Sequence, residues 1–174
     1  IKKIETMGAA AVAFPYIAGN LLAQDNAKDA KFDETPLRLG FVGTGLMGGG
    51  NMAGFINALK QKVVAYCDVD SGDYGFGNAR KYAGSDPEAF IDYRLMFEKM
   101  KGKMDAVVIS TPDHNHFAVA MSAIKHGYDL YLEKPLCFSI WQCRELARAA
   151  KAAGVKTQKG KFVHSGEGVR TRKE

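Results

Sequence analysis

The sequence predicts an α/β fold, a doubly wound and mostly parallel sheet, on three observations. From residue 37 onward, short apolar runs alternate with longer stretches of helical spacing. Between the first run and the first helical stretch stands Gly43-Thr44-Gly45-Leu46-Met47-Gly48, a G-x-G-x-x-G turn. The second run ends on an acid, Asp68, 23 residues past Gly45. Strands that alternate with helices of ten or more residues build parallel βαβ units, and a sheet of the Rossmann type follows.

Each element has its own signal. Residues 37–42 read as a short apolar strand, and 46–59 carry apolar residues at helical spacing. Residues 62–67, containing Val63-Val64-Ala65-Tyr66, read as the second strand. Gly72, Gly75 and Gly77 then mark a loop. A short strand over 89–91 precedes a helix over 95–100. The next strand, 105–110, is built on the continuous apolar run Ala106-Val107-Val108-Ile109, the pattern of a strand buried on both faces. A helix over 117–126, a strand over 129–132 and an Ala- and Arg-rich helix over 140–152 follow. Gly154 ends that helix, and a last strand begins at 155–157.

Composition places the chain among globular proteins: 174 residues, 47% hydrophobic and 25% charged. The net charge is +5, but the basic residues are scattered, with no run of five or six and no aromatic interleaving, which argues against a nucleic-acid partner. Cys67, Cys137 and Cys143 form no C-x-x-C pair, and their odd number argues against a disulfide framework or a zinc site. His114 and His116 make an H-x-H pair with no third clustered ligand, so a non-metal role is expected.

The two ends differ from the middle. Residues 1–24 combine Lys2 and Lys3 with an uncharged apolar stretch from Met7 to Gly19, the pattern of an export signal and too short to span a bilayer. Periplasmic or exported localisation is therefore expected, with a cytoplasmic protein carrying an N-terminal helix as the alternative. Residues 25–35 read as a polar linker, 36–158 as the dinucleotide-binding domain, and 159–174 as the start of a second domain that is cut short.

Four motifs sit at the C-terminal ends of the expected strands, where ligands bind in open parallel sheets. In the first, Gly43 permits the tight turn, Gly45 lets the backbone approach a pyrophosphate, and Gly48 lets the helix pack on the strand. The N–H groups of the helix start would meet the phosphates. The second is Asp68, with Asp70 close by. A carboxylate there accepts the hydroxyls of an adenosine ribose and repels a 2′-phosphate, so NAD is expected ahead of NADP. The third is Ser110-Thr111-Pro112-Asp113-His114-Asn115-His116, a turn opening a helix that Asp113 could cap. The fourth is Glu133-Lys134-Pro135. A lysine there could hold a hydroxyl or carbonyl oxygen, or move a proton; a surface ion pair before a turn is the plainer alternative.

Together these motifs resemble the Gfo/Idh/MocA oxidoreductase family, named for glucose–fructose oxidoreductase and inositol dehydrogenase. The resemblance rests on the glycine turn, Cys67-Asp68-Val69-Asp70, Asp92-Tyr93-Arg94, the strand 105–109, Thr111-Pro112-Asp113-His114 with His116, and Glu133-Lys134-Pro135. It implies an NAD(P)-dependent oxidoreductase that transfers a hydride between the nicotinamide and a sugar, cyclitol or related polyol. It implies that Gly43, Thr44, Gly45, Leu46, Met47, Gly48 and Asp68 hold the pyrophosphate and adenosine ribose. Ser110, Thr111, Pro112 and His116 would line the cofactor path, Glu133 would bond the nicotinamide ribose, and Lys134 would contact the substrate hydroxyl. The Lys134–Pro135 peptide is expected to be cis.

The resemblance further implies a second, mostly antiparallel α/β domain carrying the substrate pocket and an oligomer interface, so a chain ending at residue 174 is expected to be inactive alone. It also likens residues 1–24 to the tail of a twin-arginine signal. Asn115 stands where many relatives have an aromatic residue, and Lys159 and Phe162 depart from the family pattern. Two readings compete: a non-catalytic nucleotide-binding module, which would use the same glycine turn, and a methyltransferase, against which Glu133-Lys134-Pro135 speaks.

Overall fold

A computed structural model describes residues 35–160. The expected export signal, nearly all of the linker and the segment from 161 onward lie outside the described residues. Six strands form one sheet: β1 (Arg38–Val42), β2 (Lys62–Cys67), β3 (Glu88–Phe90), β4 (Ala106–Ile109), β5 (Asp129–Leu132) and β6 (Thr157–Lys159). Their order is β3-β2-β1-β4-β5-β6, and every neighbouring pair is parallel. The expected doubly wound sheet is present. It is wholly parallel rather than mostly so.

Five α-helices connect the strands: α1 (Leu46–Asn57), α2 (Asn78–Ala83), α3 (Tyr93–Lys99), α4 (His116–Lys125) and α5 (Ile140–Ala153). They cover both faces, and the strands alternate between two cores accordingly. Leu39, Phe41, Ala106 and Val108 pack with Met52 and Phe55 of α1 and Ala79 of α2. Val42, Val107 and Ile109 face the other way, onto Phe97, Val119, Ala120, Ile124 and Leu146 of α3, α4 and α5. The register between β1 and β2 slips at Leu39/Gly40, where Val64 is the extra residue, so Val63 and Tyr66 lie in one core and Ala65 and Cys67 in the other.

Local chemistry sets several boundaries. Ser139 and Gln142 form a reciprocal capping box at the start of α5, and Gly154 closes that helix at φ 69°. Asp92 caps α3 by accepting from the Arg94 N–H at 2.9 Å. Asp113 does not act as the expected cap. It opens a 3-10 turn over Asp113–Asn115, and no side chain caps that turn or α4.

The segment read as a glycine loop is the main departure. Residues Asp73–Gly77 form a π-helical turn that runs directly into α2. Three glycines hide any apolar period there, and tertiary contacts fix the turn instead. Phe76 is buried edge-on against Tyr66, and a Cβ on Gly75 would lie 1.9 Å from the Asp70 carbonyl oxygen.

The strand order changes direction between β1 and β4, whose successive connections leave toward opposite edges. A crevice opens there at the strands' C-terminal ends, the place where doubly wound sheets bind ligands. Pairing Val42 with Ile109 and Ile109 with Leu132 puts Gly43, Ser110 and Glu133 side by side along this edge.

Candidate functional site

The glycine turn is fixed by steric need. Gly43 has φ +83°, and a Cβ there would lie 2.6 Å from the Ser110 carbonyl oxygen. A Cβ on Gly48 would stand 1.9 Å from the Gly43 carbonyl oxygen, so only glycine lets α1 approach β1 this closely. Gly45 is different: a Cβ there would meet nothing nearer than 4.0 Å, leaving open space over its backbone. Gly45 is the N-cap of α1 and carries no side-chain cap, so no capping side chain among the described residues meets the first-turn N–H groups.

A cavity of about 580 Å³ lies over this turn, within the span of roughly 300–1,000 Å³ usual for cofactor sites. Gly43, Gly45 and Asp68 line one side, with Val69, Ile91 and Tyr93 as its apolar rim. Ser110, Thr111 and Pro112 line the other side. The Thr111 hydroxyl is buried with no hydrogen-bond partner among the described residues, and Thr111 lines the cavity. The sheet edge thus offers free N–H donors, a carboxylate on the β2 side and an unpartnered hydroxyl on the β4 side. This set fits a dinucleotide laid across the crevice.

Of the residues expected to hold the cofactor, Thr44, Leu46, Met47, Gly48, His116, Glu133 and Lys134 lie outside the cavity lining. Thr44 is fully buried; its N–H donates to Asp68 Oδ2 at 2.7 Å and its hydroxyl donates to the Gly75 carbonyl at 2.9 Å, so it braces the turn. The Leu46 side chain is 95% exposed, and neither it nor Met47 lines the cavity; their available groups are backbone N–H donors. His116 is also fully buried. Its Nε2 faces the Thr111 carbonyl at 2.9 Å and its Nδ1 the Pro135 carbonyl at 2.5 Å. It pins the Thr111 turn to the Lys134–Pro135 loop.

Asp68 is half-buried, and its Oδ1 accepts from the Asp70 N–H at 3.0 Å. Cys67 beside it also lines the cavity, but burial pushes its thiol up to about 12, which leaves it a poor nucleophile. Arg94 lies close to Tyr93 of the rim, yet it is engaged: its guanidinium donates to both oxygens of Asp92, and this contact holds the Asp92 carboxyl below its ordinary range.

At the β5 end, Glu133 is buried and takes three donors. They are Asn51 Nδ2 at 2.9 Å, the Tyr131 hydroxyl at 3.3 Å and the Lys134 N–H at 3.2 Å. Asn51 also donates to the Ser110 hydroxyl at 3.1 Å. Burial and the neighbouring Glu133 push the Tyr131 hydroxyl above its ordinary range, so it stays protonated as a donor. A Cβ on Gly160 would lie 2.8 Å from the Glu133 carboxyl, so glycine keeps this place open. The Lys134 side chain is exposed, and the Lys134–Pro135 peptide is cis, as expected.

Sequence reasoning missed Asn51, Tyr131 and Gly160. Only Asn51 left a trace: it stands three residues after Gly48, on the same face of α1. Among the described residues no helix is long and apolar enough to cross a membrane, and no three potential metal ligands converge.

The model of the Gfo/Idh/MocA family, an oxidoreductase family with an NAD-binding Rossmann fold, matches residues 37–161. The chain belongs to the Gfo/Idh/MocA oxidoreductase family. Among curated Gfo/Idh/MocA relatives, inositol 2-dehydrogenase 1 of Saccharopolyspora erythraea is 31% identical over 119 residues, covering 68% of this chain and 34% of the relative. The α-N-acetylgalactosaminidase of Tannerella forsythia is 27% identical over 137 residues, covering 76% of this chain and 29% of the relative. Among solved structures, the scyllo-inositol dehydrogenase of Lactobacillus casei, with bound NAD(H) and scyllo-inositol, superposes with a TM-score of 0.67 at 25% identity. That match covers 80% of this chain and 40% of the other. The chain spans about a third of the length of the curated relatives it matches.

Proposed function

We propose that this domain binds NAD, in preference to NADP, for hydride transfer to or from a sugar, cyclitol or related polyol. The observation that carries the reading is the pairing of buried Glu133 with exposed Lys134, at the sheet edge beside the cavity wall formed by Ser110, Thr111 and Pro112. When bound, the nicotinamide ring supplies the acceptor or donor of the hydride. The residues of the chain do the rest. The first-turn N–H groups at Gly45 and Leu46 would hold the pyrophosphate. Asp68 would accept from the adenosine ribose, and the free Thr111 hydroxyl would bond the nicotinamide half. Glu133, fixed by Asn51 and Tyr131, would accept from the second ribose. Lys134 Nζ would hold the substrate oxygen and relay its proton as the carbon changes oxidation state.

Support for a polyol comes from the relatives named inositol dehydrogenases. The relative named a glycosidase favours a second reading, in which the substrate is a glycoside. The test is a chimera in which residues 36–158 replace the corresponding domain of an inositol dehydrogenase. Reduction of NAD by inositol at 340 nm is expected, with Lys134→Ala abolishing turnover at unchanged NAD affinity. A chimera that binds NAD but stays inert, or a Lys134→Ala variant of full activity, overturns the hydride-transfer role. Release of a free sugar from a glycoside with no reduced cofactor accumulating selects the second reading.

A further inference from the structure

The glycine turn is held from behind by a residue that belongs to no expected motif. Asn78 is the first residue of α2, delivered there by the π-helical turn. Its Nδ2 donates to the Thr44 carbonyl at 2.8 Å and to the Gly45 carbonyl at 2.9 Å. Both neighbours are acceptors, so the nitrogen and not the oxygen of the amide must face them. Both amide hydrogens are thereby used. Gly49 makes the approach possible, because a Cβ there would lie 2.3 Å from Asn78 Nδ2.

The consequence follows from peptide geometry. In a trans peptide the C=O and the next residue's N–H point to opposite sides. Two carbonyls turned back toward Asn78 therefore turn the Gly45 and Leu46 N–H groups outward, toward the open space over Gly45 that lines the cavity. No acceptor among the described residues meets either N–H. Two successive free N–H groups aimed at one point make an anion cradle. The Gly45 carbonyl also accepts the Gly49 N–H at 2.7 Å, the first hydrogen bond of α1, so Asn78 shares that peptide with the helix and itself holds the Thr44 peptide. Without it the Thr44 peptide could rotate, and the Gly45 N–H would lose its aim beside that of Leu46.

We infer that Asn78 is the positioning residue of the phosphate cradle, acting on dinucleotide phosphates through the two peptides it grips. This rests on the cofactor reading above. Its signature is selectivity for phosphate: adenosine should not feel the loss of Asn78, whereas ADP and NAD should.

The experiment measures the affinities of NAD, ADP and adenosine for the full chain, by calorimetry and ligand-observed NMR, beside its thermal midpoint. Asn78→Asp keeps the shape and sets an oxygen against two carbonyls; Asn78→Ala removes the grip. Both are expected to weaken NAD and ADP by about tenfold or more, the loss of about one good hydrogen bond to a charged group, with adenosine affinity within about twofold of the parent. Gly49→Ala leaves Asn78 in place but displaces its amide, and should show the same phosphate-selective loss. Unchanged NAD and ADP affinities in the three variants overturn the inference. So does an equal loss for adenosine, or failure of all three variants to fold, since either makes Asn78 a structural residue only. A parent chain that binds neither NAD nor ADP overturns the cofactor reading itself, a result distinct from these.

Discussion

Asn51 of α1 and Glu133 at the end of β5, 82 positions apart, are joined by a 2.9 Å hydrogen bond across the crevice. Asn51 donates, and the same amide reaches the Ser110 hydroxyl at the end of β4. One side chain thus ties the helix of the glycine turn to both strands of the second half of the site. A buried carboxylate needs such donors, because each unmet partner carries its desolvation penalty.

Asn51→Leu, similar in size but unable to donate, should therefore destabilise the fold by about 1–3 kcal/mol. Urea unfolding measures it. A variant as stable as the parent would mean that Glu133 does not depend on Asn51.

The choice of dinucleotide should follow the charges at the adenosine end. Asp68 is fixed by the Thr44 N–H, and the nearby cation, Arg94, is held in a fork by Asp92. Among the described residues that line the cavity, a 2′-phosphate would meet a placed negative charge and no lysine or arginine. NADP should bind about a hundredfold more weakly than NAD, the scale of one close like-charge contact in a partly solvated site. Asp68→Ala should narrow that ratio in parallel titrations. Equal affinities for both cofactors in the parent would refute the role of Asp68.

Acid sensitivity should appear at the opposite edge of the sheet. Asp105 accepts from the Arg38 backbone N–H at 2.7 Å and pairs with its guanidinium at 2.7 Å. The Arg38 side-chain hydrogen bond is the main reason that the Asp105 carboxyl titrates below its ordinary range; burial opposes it. A carboxyl lowered on folding stabilises the fold above its unfolded pKa, about 3.9, and that contribution is lost as the pH falls through the folded value. Asp105→Asn should thus lower stability at pH 7, with the difference shrinking as the pH drops below about 4. Denaturation midpoints across that range provide the check, and a difference independent of pH would contradict it.

Much of this structure was legible in the chain because its central strands β1, β2 and β4 are largely buried on both faces. The expected strands 62–67 and 129–132 match the bounds of β2 and β5, since the apolar runs 63–67 and 130–132 each follow one charged residue. The glycine turn was legible for a related reason: Gly43 and Gly48 each answer a local clash that no other residue avoids. What stayed hidden is tertiary. Asn78 meets carbonyls 33 and 34 positions back, and nothing in its own helix announces it. The turn before it looked like a loop because glycines mask the period, whereas its hold comes from Tyr66 and Thr44. Thr44 and His116 sit inside recognisable motifs, yet both are spent on bracing the backbone that would meet the cofactor.

The central claim is that the glycine turn is the floor of an NAD site. Calorimetric titration of NAD into the chain, beside Gly48→Ala, tests it most directly. A Cβ at that position would collide with the Gly43 carbonyl oxygen at 1.9 Å, forcing α1 away from β1. One saturable NAD site in the parent, lost or weakened at least about tenfold in a folded Gly48→Ala variant, is the expected result. No NAD binding by the parent, or undiminished binding by the variant, would contradict it.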